Sequence, residues 1–287
     1  MEMKKLSLVL YLLLGAVLHI YFAEAHANDK QWLLVDNFES GAKLLSSDWF
    51  IEDVQNETSP FIPRPQVSKI ITEPSTQNAY YLKQAAEDGI VGNRKALSYI
   101  KLPRSIEIGE TYTLYTRIMV DAFPNNHSFG LSNLQAESIN ELSYNAFEPM
   151  LRVTDKTESD GTVNRGALMV IQSSSKGKAT YTDVVNPSTK MPAERLVEKQ
   201  WYELWYVINN LPYKDGGQRY SVYMKGGEFK QQTQVYLGAV FRMKREASLH
   251  YFVTISNTGS QKKPYGNGGL AYDDIYMSRG KNLSNPR

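Results

Sequence analysis

The chain has 287 residues, 32 basic against 30 acidic side chains, no cysteine, and an aromatic set of 4 Trp, 19 Tyr and 10 Phe. A hydrophobic fraction of 42% can fill a core of that size and excludes a disordered chain, while a net charge of +2 gives too weak a field to gather nucleic acid nonspecifically. Without cysteine there are no disulfides, iron–sulfur clusters, thiolate zinc sites or thiol nucleophiles.

The first element is a leader. Met-Glu-Met-Lys-Lys precedes an apolar run from Leu6 to Phe22, and Ala23-Glu-Ala-His-Ala27 supplies a small-x-small cleavage site. These are the parts of a secretory signal peptide spanning 1–27, with the mature chain starting near Asn28. The expected location is therefore secreted or periplasmic in a bacterium, with no membrane association after cleavage. Two of the four histidines fall in the leader, which leaves His127 and His250 for chemistry.

Beyond the leader, short runs alternate polar with apolar residues. They cover Trp32–Phe38, Gln66–Ile71, Ala79–Lys83, Leu97–Leu102, Tyr112–Val120, Pro149–Thr154, Ala167–Gln172, Gln200–Asn209, Arg219–Lys225, Gln234–Arg242, Leu249–Ser256 and Leu270–Ser278. Turn signals separate them, including Asp88-Gly89, Asp215-Gly216-Gly217 and Gly226-Gly227. The one short helix expected lies within Gln135–Asn145. Roughly a dozen strands at this spacing predict an all-β fold, an antiparallel two-sheet jelly-roll β-sandwich forming one domain over 28–287.

Within Tyr112–Val120, Tyr115 and Arg117 share the face opposite Tyr112, Leu114, Ile118 and Val120, so that face is the better one for solvent or ligand. In Trp201–Asn209 both faces carry aromatics, Trp205 on one and Tyr206 on the other, and the core claims one of them. Arg152 and Tyr223 stand in strands of the same alternating kind. A sugar needs a flat aromatic beside hydrogen-bonding side chains, so Tyr115, Arg117, Arg152, Trp205, Asn209 and Tyr223 are the candidate glycan-binding residues. His127 falls in the loop Pro124-Asn-Asn-His-Ser128 and is expected to be exposed, His250 is a structural histidine on a strand, and the acidic stretch Thr154–Gly161 is expected as a solvated hairpin tip. Asp273 and Asp274 are adjacent on a strand, so their carboxylates are expected on opposite faces. Closing a sandwich sets first and last strands side by side, where an oxygen cluster could hold calcium.

Asp36-Asn-Phe-Glu-Ser-Gly41, Gln200-Trp-Tyr-Glu-Leu-Trp-Tyr-Val-Ile-Asn-Asn210, Tyr220-Ser-Val-Tyr-Met-Lys-Gly226 and Tyr272-Asp-Asp-Ile-Tyr276 together resemble the concanavalin A-like lectin/glucanase superfamily, in the style of bacterial laminin-G-like and jelly-roll carbohydrate-binding domains. The resemblance implies a lectin-like module that binds a polysaccharide or glycan in a concave groove, with a structural calcium held by Glu39 and by Asp273 or Asp274. The alternative is that these acids cap turns or pair with arginine.

A glucanase of this superfamily needs a Glu-x-Asp-x-x-Glu strand to flank one glycosidic bond with carboxylates, and none is present. A polysaccharide lyase acting on a uronate polymer stays open, with Arg117, Arg152, His127 and Tyr115 as its parts, because that chemistry needs a carboxylate-neutralising group and a proton-moving one. A noncatalytic envelope interaction module is the third alternative. Gly266-Asn-Gly-Gly-Leu-Ala271 fits a dinucleotide fingerprint formally but precedes a strand, so it reads as a turn. Expectation therefore leans to binding without catalysis and without an organic cofactor.

Overall fold

The structure is a computed structural model that describes residues 31–40, 49–58, 61, 67–84, 92–158, 161–175, 177–265 and 268–287. The expected leader lies outside these residues. The strands are β1 (Leu33–Asp36), β2 (Trp49–Asn56), β3 (Val67–Thr72), β4 (Ala79–Gln84), β5 (Arg94–Ile106), β6 (Thr111–Val120), β7 (Asn126–Ser132), β8 (Phe147–Thr154), β9 (Leu168–Ser175), β10 (Lys178–Asp183), β11 (Trp201–Asn209), β12 (Arg219–Gly226), β13 (Phe229–Val240), β14 (Leu249–Asn257), β15 (Gly259–Ser260), β16 (Lys263–Pro264) and β17 (Leu270–Arg279). The helix expected within 135–145 is α1 (Ala136–Leu142), prolonged by a 3₁₀ turn over Ser143–Ala146.

Among the described residues, sheet A runs β13-β12-β11-β6-β17-β4-β3 with β1 against β17, and sheet B runs β10-β9-β8-β7-β14-β5-β2. Among the described residues every strand pairing within the two sheets is antiparallel. The chain passes repeatedly from one sheet to the other, which makes the jelly-roll sandwich expected. First and last strands do lie side by side, with Leu33 opposite Met277.

Period-2 alternation fills the space between the sheets. Leu114, Ile118 and Val120 of β6 and Tyr202, Leu204, Tyr206 and Ile208 of β11 face Ile100, Phe129, Leu131, Leu151 and Phe252 of sheet B in one buried cluster. The alternation signal does not reveal β2, β7 or β10. β7 reads Asn-His-Ser-Phe-Gly-Leu-Ser, a polar string with a glycine, yet every residue in it is buried at the middle of sheet B. Gly130 explains part of this: a Cβ there would stand 2.0 Å from the Pro149 carbonyl oxygen of β8, so only glycine allows the two backbones to approach. His127, expected in an exposed loop, is fully buried in β7.

Candidate functional site: a cationic groove on sheet B

The two sheets each turn a second face outward, and the residues expected to bind divide between them. On sheet A the outer face carries Tyr115, Arg117, Trp205 and Tyr223, as the alternation implies, but each is buried. The chain's own C-terminal segment roofs this face. Leu283 packs on Tyr115, Trp205 and Tyr223. Trp205 Nε1 donates to the Ser284 carbonyl (3.0 Å), Trp32 Nε1 to Ser284 Oγ (3.0 Å) and Asn285 Nδ2 to Glu203 Oε2 (3.1 Å). The polar–apolar pattern separates inner from outer faces; it carries no information about a distant segment folding back over the outer one.

Arg117 is committed on the same face. Its guanidinium lies over the Trp201 ring at 4.8 Å, pairs with Asp273, and reaches Asp274 Oδ2 through Nε at 2.7 Å. Both carboxylates reach one arginine because β17 shifts register between Asp273 and Tyr276 and Asp274 takes a φ of +50°, which overrides the opposite-face expectation. Burial pushes the Asp273 carboxyl up to about 7 against the pull of Arg117. Glu39, the third acid expected to hold calcium, accepts instead from the Ala79 amide (3.1 Å). A calcium ion needs six to eight unneutralised oxygens, so an aspartate pair closed around a guanidinium does not fit it. Among the described residues no group of three or more acids or histidines gathers elsewhere.

Asn209 uses its side chain locally, accepting from the Leu211 amide (3.1 Å). His250 meets Ser105 Oγ at 2.9 Å, consistent with a structural histidine. Of the expected binding residues, Arg152 is the one on sheet B, across the sandwich from Arg117, so the two arginines do not converge.

Around Arg152 lies an open groove. α1 and the turn after it cover part of the outer face of sheet B, with Ile139 and Ala146 packed on Leu97, Tyr99, Val253 and Ile255. Beside them lie two adjoining cavities of about 400 Å³ and 420 Å³ that share Arg152, Ala179 and Tyr181. The first includes Glu158, Asn164 and Met169; the second includes Tyr144, Lys156, Lys178, Arg242 and Asn257. Among the described residues four cations thus face one carboxylate, a local excess that the overall charge of +2 conceals.

The groove is held in place from beneath. Arg152 donates to Asn126 Oδ1 of β7 (3.2 Å) and lies over the Tyr181 ring at 5.0 Å. Arg242 enters from beyond β13 and donates to the Tyr181 hydroxyl (2.7 Å) and Asn145 Oδ1 (3.2 Å). What aims Arg242 is Glu148, fully buried on β8. Its carboxylate accepts the amides of Met243 (3.1 Å), Lys244 (2.8 Å) and Arg245 (3.3 Å), and Arg245 Nη1 at 3.1 Å. Burial pushes this carboxyl up, while Arg245 and the three amides pull it down.

The phenols of Tyr144 and Tyr181 are both pushed up by burial, with arginines drawing them back in part. Tyr144 also hydrogen-bonds Asn257. In the acidic stretch after β8, expected as a solvated hairpin tip, Thr157 and Val163 form a bridge and Thr157 and Gly161 are exposed, but Glu158 turns back onto Arg152 at 2.6 Å; burial raises its carboxyl, and Arg152 and Lys156 outweigh this and hold it below the usual range. Tyr144, Lys156, Lys178, Tyr181, Arg242 and Asn257 went unseen because they come from separate parts of the chain: the turn after α1, the loop after β8, edge strand β10 for both Lys178 and Tyr181, the segment beyond β13 and the end of β14. The tyrosine content was the available signal, but nothing local separates these two from the rest.

No protein-family model and no curated protein matches this chain. Solved structures do. The exoplasmic/lumenal domain of VIP36, in a Ca2+/Man3GlcNAc-bound form, aligns with a TM-score of 0.46 at 8% identity over 88% of this chain and 90% of that one. Peanut lectin with a nine-residue peptide gives 0.44 at 8% identity over 88% and 98%. The marine PL-14 alginate lyase from Aplysia kurodai gives 0.47 at 13% identity over 74% and 87%. At such identities the likeness concerns fold and does not extend to side chains.

Proposed function

We propose that this protein binds an acidic polysaccharide, one bearing uronate carboxylates, in the groove on the outer face of sheet B, outside the cytoplasm once its leader is removed. The observation that carries this is the composition of the groove: Arg152, Lys156, Lys178 and Arg242 beside Tyr144, Tyr181 and Asn257, with Glu158 as the one acid among the described lining residues. Cations neutralise carboxylates, tyrosine rings accept the C–H faces of pyranoses, and the amide pairs with hydroxyls. The two cavities fall within the size range of ligand sites.

Affinity electrophoresis through gels containing polygalacturonate, alginate or a neutral glucan tests this. Retardation is expected in the two polyuronates and not in the glucan, weakening as salt is raised. Arg152→Ala is expected to weaken binding roughly tenfold to hundredfold, the scale of a lost charge-assisted contact. Equal mobility in all gels overturns the proposal.

A polyuronate lyase is the second reading, favoured by the two phenols beside Arg152. Elimination requires a base for the proton next to the carboxylate, and phenols pushed up by burial supply little phenolate at neutral pH. We therefore place binding ahead of turnover. Incubation with the same polymers is expected to produce no ultraviolet absorbance from an unsaturated product; a progressive rise makes the protein a lyase. Calcium has no part in this proposal, since the acids expected to bind it are engaged with Arg117 and the Ala79 amide.

A further inference from the structure

The groove contains a carboxylate already. Glu158 Oε1 receives Arg152 Nη2 at 2.6 Å and Asn164 Nδ2 at 2.6 Å, and its Oε2 lies 3.3 Å from Lys156 Nζ. Both oxygens are engaged, by two cations and an amide. Two of the donors have anchors besides Glu158: Arg152 is also bonded to Asn126, and the backbone N–H of Asn164 donates to the Lys156 carbonyl (3.0 Å) beside the Thr157–Val163 bridge. Arg152 and Asn164 are both buried. The Glu158 side chain is 25% exposed and borders the 400 Å³ cavity.

We infer that Arg152, Lys156 and Asn164 form a carboxylate subsite, and that Glu158 fills it as the chain's own stand-in until a ligand carboxylate displaces it. This rests on the acidic-polysaccharide reading and deepens it. Electrostatics favours exchange over addition. Two neighbouring cations that are largely withdrawn from water are costly without a counter-charge, so Glu158 stabilises the empty groove. A uronate carboxylate restores the same charge in the same planar, two-oxygen geometry when Glu158 swings out. A neutral sugar restores neither and leaves Glu158 in place. The internal acid thus acts as a filter: a ligand enters this subsite only by displacing it, and only a carboxylate makes good the interactions lost.

Removing the stand-in should therefore strengthen binding, the opposite of what loss of a structural ion pair would do. Calorimetric titration with a galacturonate tetramer, its methyl ester and a sulfated oligosaccharide of equal length, on wild type, Glu158→Gln and Glu158→Asp, separates the cases. Expected is a gain of about fivefold or more for the tetramer with Glu158→Gln, a smaller gain with the shorter Glu158→Asp, and no gain for the methyl ester. Wild type that binds the tetramer while both variants bind it equally or more weakly overturns the subsite and leaves the acidic-polysaccharide reading standing. A gain of equal size for the methyl ester or the sulfated ligand also overturns it, since carboxylate exchange would not be the cause. If neither wild type nor the variants bind any of the three, both the reading and the subsite fall.

Discussion

The outer faces of the two sheets are built from the same ingredients and have opposite fates. Sheet A presents Tyr115, Trp205 and Tyr223 beside Arg117 and Glu203; sheet B presents Tyr144 and Tyr181 beside Arg152, Arg242 and Glu158. On sheet A the cation is closed between Asp273 and Asp274, and the rings are sealed under Leu283. On sheet B, among the described residues, the cations outnumber their acid and border two open cavities. Aromatic and charged side chains on an outward face are therefore not evidence of a ligand. Coverage and residual charge decide it: a satisfied face has nothing left to offer, and a face with surplus cations attracts an anion from outside.

The largest effect that would break or sharpen this contrast is expected at Glu148. Glu148→Ala removes a buried acceptor from Arg245 and three amides, and should cost about 3–5 kcal/mol in denaturant unfolding. It should also free Arg242 from Tyr181 and so weaken polyuronate binding. A variant of unchanged stability and affinity would show that the loop keeps its shape without the carboxylate. Next in size is loss of the roof on sheet A. A chain ending at Lys281 lacks the Trp205–Ser284 bond and the Leu283 contact and should lose about 1–3 kcal/mol, with tryptophan emission shifting to the red. Its polyuronate affinity should not change; a gain in glycan binding would mean that sheet A holds a masked site of its own, and the contrast would fail.

The smallest effect is one of slope. Asp273, ordinarily near 3.8, is raised to about 7 in the folded chain. Between these values the folded state keeps a proton that the unfolded state has released, so this group's contribution to stability falls as pH rises from about 4 to about 7 and is flat above. Asp273→Asn removes that dependence. The difference in unfolding free energy, variant minus wild type, should therefore increase across the window. A difference that stays constant, or falls, would mean that Arg117 keeps Asp273 charged throughout.

Alternation alone identified the long strands of sheet A, because β6 and β11 each bury one face in the core and period 2 is visible wherever one side is apolar. It missed β7, whose polar side chains are buried at the middle of sheet B, and the edge strands β2 and β10, which carry mixed residues. The sandwich and the meeting of first and last strands were thus legible in the one-dimensional pattern. The groove was not, Arg152 excepted. Arg152 comes from β8, Arg242 from beyond β13, Tyr144 from the turn after α1, and Tyr181 from β10. Local sequence determines which way a side chain points from its own strand, since that depends on neighbours one and two residues away. Which residues meet, and which face a remote segment such as Leu283–Arg287 covers, depends on contacts between parts of the chain far apart in sequence. Those contacts exist only after the sheets have packed, and they turned one outward face into interior and left a cation-lined groove on the other.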